Sequence, residues 1–299
     1  MSTAGARAQM PTLLRQRAWR SLRLQALAVP AYFWTVLFFL VPLGILAVYS
    51  FGQIDILTYK VHFGWTVQHY VDLGQKLYRD SIFRSLELSF GATLACLVVG
   101  LPVAYFISLQ RRLLEYVLLI AVIVPFWTSF IVRTYAWIDV LSPGSPLARL
   151  ATTVGLSRTG LLYNNVAVAI GIVANYLPLM VLPLYIGFKR IDPALREAAR
   201  DLGAPGRRAF RRVVLPLATP GIVAGCLLVA VPATGEYVIP SILGGGKTEM
   251  FGNIVADQFL TVGDYPFGSA LAVSVMALLT VFILLIRAAS SSFGAEGTS

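Results

Sequence analysis

The chain has 299 residues, of which 57% are hydrophobic and only 13% charged, with a net charge of +10. That charge content is about half the ~25% usual in soluble domains, too little to cover a water-facing surface; it points to an integral membrane protein solvated outside by lipid. The basic residues sit at the edges of apolar runs and form no separate domain, so they read as topology signals and exclude a nucleic-acid binder.

In chain order, residues 1–25 are basic, with Arg7, Arg15, Arg17, Arg20 and Arg23. The uncharged run Leu24 to Ile54 is too long for a signal-peptide core and reads as an uncleaved first span. Residues 55–80 are polar and include His62 and His69, seven apart without a scaffold, which reads as solvated loop histidines and no metal site. A second span starts near Arg84 and continues through the uncharged Leu88 to Gln110, closed by Arg111 and Arg112. The third, Leu113 to Leu141, is interrupted by Arg133 and Asp139, and residues 142–164 form a Ser-, Pro- and Gly-rich loop. The fourth span is Asn165 to Phe188, the fifth Leu217 to Ile242 and the sixth Pro266 to Ala288, with a Gly-rich loop over 243–265. Each run reaches the ~20 residues needed to cross the hydrocarbon core. Cys96 and Cys226 fall inside apolar runs and read as small packing residues.

The expected architecture is therefore all-α, with six transmembrane helices over 26–290, a basic cytoplasmic segment at 1–25 and a cytoplasmic tail at 291–299. With the amino terminus inside, the cytoplasmic segments hold five, two, eight and one Lys/Arg in turn, sixteen of the 24. The positive-inside rule then places both termini in the cytoplasm.

Eight of those cations lie between Lys189 and Arg212, against three acids, and both flanking runs are uncharged. Asp192-Pro193 is a helix start, N-cap then proline, and Gly203 a stop. Leu195, Ala198, Ala199 and Leu202 recur at i, i+3, i+4 and i+7, one apolar stripe. A helix this short does not hold itself in water, so the stripe is expected to be buried against something. A second short helix, about Arg207 to Val214, leads back to the membrane.

Glu197, Ala198, Ala199, Gly203, Leu215 and Pro216 stand at the spacing E-A-A-x3-G-x9-I-x-L-P, with Val213 at the Ile position. In this the loop 189–216 resembles permease subunits of binding-protein-dependent ABC importers. The resemblance implies a MetI-like permease fold in the bacterial inner membrane, with a coupling helix at 193–203 that docks on an ATPase subunit. It also implies a second permease, a solute-binding protein outside, and ATP and Mg held by the ATPases, this chain carrying no cofactor and no catalytic residue. Three further stretches, Pro125 to Trp137, Gly235 to Pro240 and Leu243 to Asn253, resemble the first permease of spermidine/putrescine importers. Gln258-Phe259 followed by Tyr265 to Gly268 adds to this, with Tyr265 where Trp is expected. Related branches serve opines, aminophosphonates and ferric ion.

Gly246-Lys247-Thr248 looks like the end of a phosphate-binding loop, but position 241 is Ser where Gly is required. Four ionisable residues lie in or beside the outer parts of spans: Glu87, Arg133, Asp139 and Glu236. Such residues face a cavity or a partner charge. Glu236 is expected to line the solute pathway; the other reading has Arg133 pairing with Glu236 or Asp139 to fix the helices. Trp127, Tyr135, Trp137 and Tyr237 offer ring faces to an organic cation, or belong to an interfacial aromatic belt. A gradient-driven secondary transporter, the competing class, calls for inverted repeats and acids at mid-membrane, and neither is visible.

Overall fold

The computed structural model describes residues 29–30, 32–55, 61–62, 64–153 and 161–295, with side chains through 284. The basic segment 1–25, part of the loop 142–164 and the last four residues of the tail lie outside the described residues. The chain divides into two compact units, 1–69 with 265–273 and 70–264 with 274–299.

In the first unit, α1 (Tyr32–Tyr49) is long and apolar enough to cross a membrane. Its turn Val36–Leu40 is widened, because Pro42 has no N–H to give and Val41 bonds back to Val36 O. A two-residue hairpin, β1 (Gln53–Ile54) with β2 (Val61–His62), follows, with Gln53 opposite His62. His62 is exposed as expected. His69 is not a solvated loop residue: its Nε2 lies 2.8 Å from Gly52 O and its ring packs beside Phe267.

The second unit is built on three helices: α2 (Lys76–Ser108), α6 (Asn165–Lys189) and α9 (Thr219–Thr234). Between α2 and α6 lie α3 (Arg112–Ile123), α4 (Phe130–Leu141) and α5 (Pro146–Thr153). Between α6 and α9 lie α7 (Pro193–Asp201) and α8 (Gly206–Leu217). Two short helices, α10 (Val238–Leu243) and α11 (Phe251–Asp257), come before α12 (Tyr265–Ala295).

Glycine lets the central helices touch backbone to backbone. A Cβ on Gly221 of α9 would stand 2.7 Å from Pro183 O and 3.1 Å from Gly187 Cα of α6. Small residues serve this way in membranes, where lipid tails are as apolar as leucine and close packing drives association. Ser89 of α2 adds a polar tie, donating to Ala230 O at 2.9 Å with Thr234 Oγ1 also 2.9 Å away.

Three expected spans change shape. The second starts at Lys76 rather than near Arg84, and its 33 residues measure about 50 Å, longer than the ~30 Å hydrocarbon core. The third is not straight: α3 runs on through a tight turn, Val124–Trp127, and meets α4 at 97°. Pro125 lacks an amide hydrogen, and Thr128 and Ser129 are extended, so the ladder breaks there. The fifth run is also divided. The short helix α8 extends to Leu217 and meets α9 at 66°, and α9 ends at Thr234 instead of Ile242. Among the described residues four helices are long and apolar enough to cross a membrane as they stand, and the number is six if each bent pair is one span.

Candidate functional site

The short helix α7 is assembled from local signals. Asp192 Oδ1 accepts from Ala194 N at 2.9 Å, and Pro193 opens the helix. At the other end Gly203 takes φ +79°, a left-handed conformation that side chains resist, with its N–H on Arg200 O. Ala204 N reaches Ala199 O at 3.0 Å, completing a Schellman turn. No residue of α7 is buried. Leu195, Glu197, Ala198 and Leu202 are exposed, Leu202 at 89%, and Ala199 is half-buried. Within this chain the apolar stripe is therefore left open.

Above α7, the base of α6 is tied to α3 by a buried acid. Glu115, 7% exposed, accepts from Lys189 Nζ at 2.7–2.8 Å and from the Tyr185 hydroxyl. By sequence Lys189 is only one of the topology cations. An acid three residues into an apolar helix was the signal for this tie.

At the opposite end of the fold, α9 and α10 are separated by Gly235-Glu236-Tyr237. Glu236 is 6% exposed and fully engaged. One carboxylate oxygen accepts from the N–H groups of Tyr237, Val238 and Ile239 at 3.1, 2.9 and 3.4 Å; the other accepts from the Tyr176 hydroxyl. The side chain caps the start of α10, where unpaired N–H groups collect. Asn253 seals the other side, donating to Tyr237 O at 3.0 Å and Ser241 Oγ at 2.7 Å. A Cβ on its neighbour Gly252 would lie 2.5 Å from Gly235 O and 2.7 Å from Glu236 O, so only glycine fits. Thr248, buried, donates to Asn165 Oδ1 at 2.6 Å, and Phe251 N donates to Ser85 Oγ at 2.6 Å. The stretch 243–253 is thus a cap over the broken helix, and Gly246-Lys247-Thr248 is part of its turn.

Arg133 pairs with neither Glu236 nor Asp139. Its Nε donates to Asn175 Oδ1 at 2.6 Å and its Nη1 to Pro125 O, the carbonyl at the bend that also accepts from Thr128 N at 3.3 Å. Thr128 Oγ1 donates to the same carbonyl at 2.7 Å, and the guanidinium lies 5.2 Å from the Phe126 ring centroid and 6.0 Å from that of Phe130. Pro125, Phe126, Thr128, Phe130 and Arg133 therefore form one elbow clamped onto α6.

Adjacent residues of α6, Asn175 and Tyr176, bring Arg133 and Glu236 into one network. The side chains of the other five pathway candidates stay outside it. Trp127, at 82% exposure, Tyr135, Asp139 and Tyr237 are exposed, and Glu87 faces outward between buried Ser85 and Ser89. No ion pair joins Glu87 or Asp139 to another group among the described residues. Tyr237 is one wall of a cavity of about 510 Å³, shared with Tyr78, Ser241, Glu249, Asn253 and Asp257.

Helices that cross a membrane, a capped break on one side and a short, open helix between two spans define a membrane permease. The chain belongs to the family of binding-protein-dependent transport system inner membrane components, whose model matches residues 96–293. It is 37% identical over 259 residues to the spermidine/putrescine transport system permease protein PotB of Escherichia coli (strain K12), covering 86% of this chain and 94% of that protein. It is 36% identical over 254 residues to the protein of the same name from Haemophilus influenzae, covering 84% and 88%. The fold is similar to a chain in the crystal structure of a bacterial ABC transporter that imports the acidic polysaccharide alginate. That match has a TM-score of 0.64 and 18% identity, covering 93% of this chain and 98% of that one.

Proposed function

We propose that this chain is a permease subunit of an ATP-driven polyamine importer and forms half of its translocation pathway. The kinship with spermidine/putrescine permeases supports the solute class. The observation that carries the mechanism is α7: a helix held by its own caps between two spans, its apolar stripe open.

In this reading Leu195, Ala198, Ala199 and Leu202 seat in an ATPase subunit, with Glu197 and Gly203 fixing the contact. Both termini and α7 are cytoplasmic; a second permease completes the pathway and a solute-binding protein delivers polyamine from outside. ATP and Mg belong to the ATPases, and this chain supplies path and lever without a catalytic group. When the ATPases close, α7 moves. The Glu115–Lys189–Tyr185 tie passes that motion to α3 and α6, and the spans swing between inward and outward access. Arg133 and Glu236 hold the outer frame, while Glu87, Trp127, Tyr135, Asp139 and Tyr237 are the groups free to meet an organic cation.

The test is transport and ATPase activity of the reconstituted complex against a panel of polyamines, opines and aminophosphonates. Uptake and stimulation with polyamines alone are expected; a response to either other class and none to polyamines overturns the solute assignment.

A further inference from the structure

The helix α8 carries a feature that solute transport does not use. Arg207, Arg208, Arg211 and Arg212 surround one cavity of about 600 Å³, with Pro205 as the remaining wall. All four are exposed, and none has a carboxylate within ion-pair distance among the described residues. The opposite face of the helix is fixed. Ala209 and Val214 are buried, and the Phe210 ring packs 4.7 Å from Tyr105 and 6.3 Å from Phe188, centroid to centroid. The four arginines therefore all project from the side of the helix that is not packed. Four like charges around a cavity call for an anion.

We propose that this cavity binds the phosphate headgroup of an anionic phospholipid of the cytoplasmic leaflet. Position selects the lipid over an acidic protein surface. Arg212 is followed directly by the uncharged run Val213 to Gly235, and α8 meets the span α9 at 66°. We place a helix so angled at the foot of a span along the interface, at headgroup depth. Basic clusters there attract anionic lipid, and guanidinium forks match phosphate oxygens in pairs. Keeping a loop inside needs charge only; it needs no shared cavity.

The site also touches the coupling element. Arg208 and Arg212 line a second, smaller cavity with Ala199, Leu202 and Gly203, at the carboxy-terminal end of α7. A bound headgroup would steady the turn on which α7 hangs, so anionic lipid is expected to raise the coupling of ATP hydrolysis to transport. This step rests on the cytoplasmic placement of α7 proposed above.

The experiment purifies the assembled complex in mild detergent and quantifies retained phospholipid by mass spectrometry, for wild type and for Arg211→Gln/Arg212→Gln. That variant keeps six of the eight cations between Lys189 and Arg212, so its topology signal stays strong. Wild type is expected to retain phosphatidylglycerol or cardiolipin above its share of the membrane, and the variant to lose roughly tenfold of that enrichment. In nanodiscs of phosphatidylcholine alone, wild type should show the weaker coupling of the variant, and adding phosphatidylglycerol should restore wild type only. Equal enrichment in both proteins overturns the proposal. So does unchanged enrichment with loss of the ATPase from the variant, which would assign the arginines to the protein partner. The lipid readout needs no solute, so a wrong solute class leaves it intact.

Discussion

Tyr176 donates its hydroxyl to Glu236 from 60 positions away in the chain, and thereby joins the middle of α6 to the break between α9 and α10. The remaining oxygen of that carboxylate serves three backbone N–H groups. A membrane helix can be interrupted only where its freed backbone groups find partners inside the protein. Glu236 is that partner.

Glu236→Ala should therefore leave a hydroxyl and a helix start unsatisfied in a buried site, costing about 1–3 kcal/mol per orphaned group. Glu236→Gln keeps an acceptor for the N–H groups. Thermal unfolding of the purified complex should fall clearly for Ala and little for Gln, with substantial transport retained by Gln. A Gln variant that assembles normally yet transports nothing would move Glu236 from the frame to the solute path.

Gly252→Ala brings a methyl against two carbonyl oxygens, neither of which can rotate aside. Overpacking of this kind costs ~1–3 kcal/mol. The same readout should show a lower unfolding temperature and, because α11 is displaced from the break, weaker transport.

Glu115 and Lys189 are unequal partners: the acid is buried, whereas the lysine side chain is 47% exposed. Lys189→Met strands a buried carboxylate with one hydroxyl donor, whereas Glu115→Gln leaves a lysine that can turn to water. We expect Lys189→Met to destabilise by ~1–3 kcal/mol, after allowance for screening at the exposed end, and Glu115→Gln by less. A unfolding series on both variants checks the order; equal losses would mean that the pair acts by packing alone.

Gly203→Val places a β-branched side chain at φ +79°, a conformation costing such residues of order 1–3 kcal/mol. The Schellman turn should open and α7 lose its angle. ATPase subunits should co-purify less with this variant, although membrane insertion stays normal.

The helix α7 was legible in the sequence because its determinants are local: Asp192-Pro193 and Gly203 bound it directly, and the stripe follows helical period. The apolar runs were legible too, but their shapes were not. Hydropathy treats Leu113 to Leu141 as continuous, and the 97° bend depends on two extended residues, Thr128 and Ser129, which carry no apolar signal. Charge alone points Arg133 at acids, while its partners are an amide, Asn175, and a main-chain carbonyl, Pro125. Tyr176 carries no signal in the sequence, because one tyrosine in an apolar helix looks like any other. The family motifs make physical sense only in three dimensions, as an elbow at 125–133 and a capped break at 235–253.

In the proposed mechanism α7 transmits ATP hydrolysis to this chain's solute pathway. Its most direct test is labelled putrescine uptake by proteoliposomes holding the full complex, with wild type and Glu197→Lys compared with and without ATP. Uptake that requires ATP in wild type and is lost in Glu197→Lys, with insertion unchanged, is the expected result. Uptake without ATP, or a Glu197→Lys complex that binds its ATPase and transports normally, would contradict it.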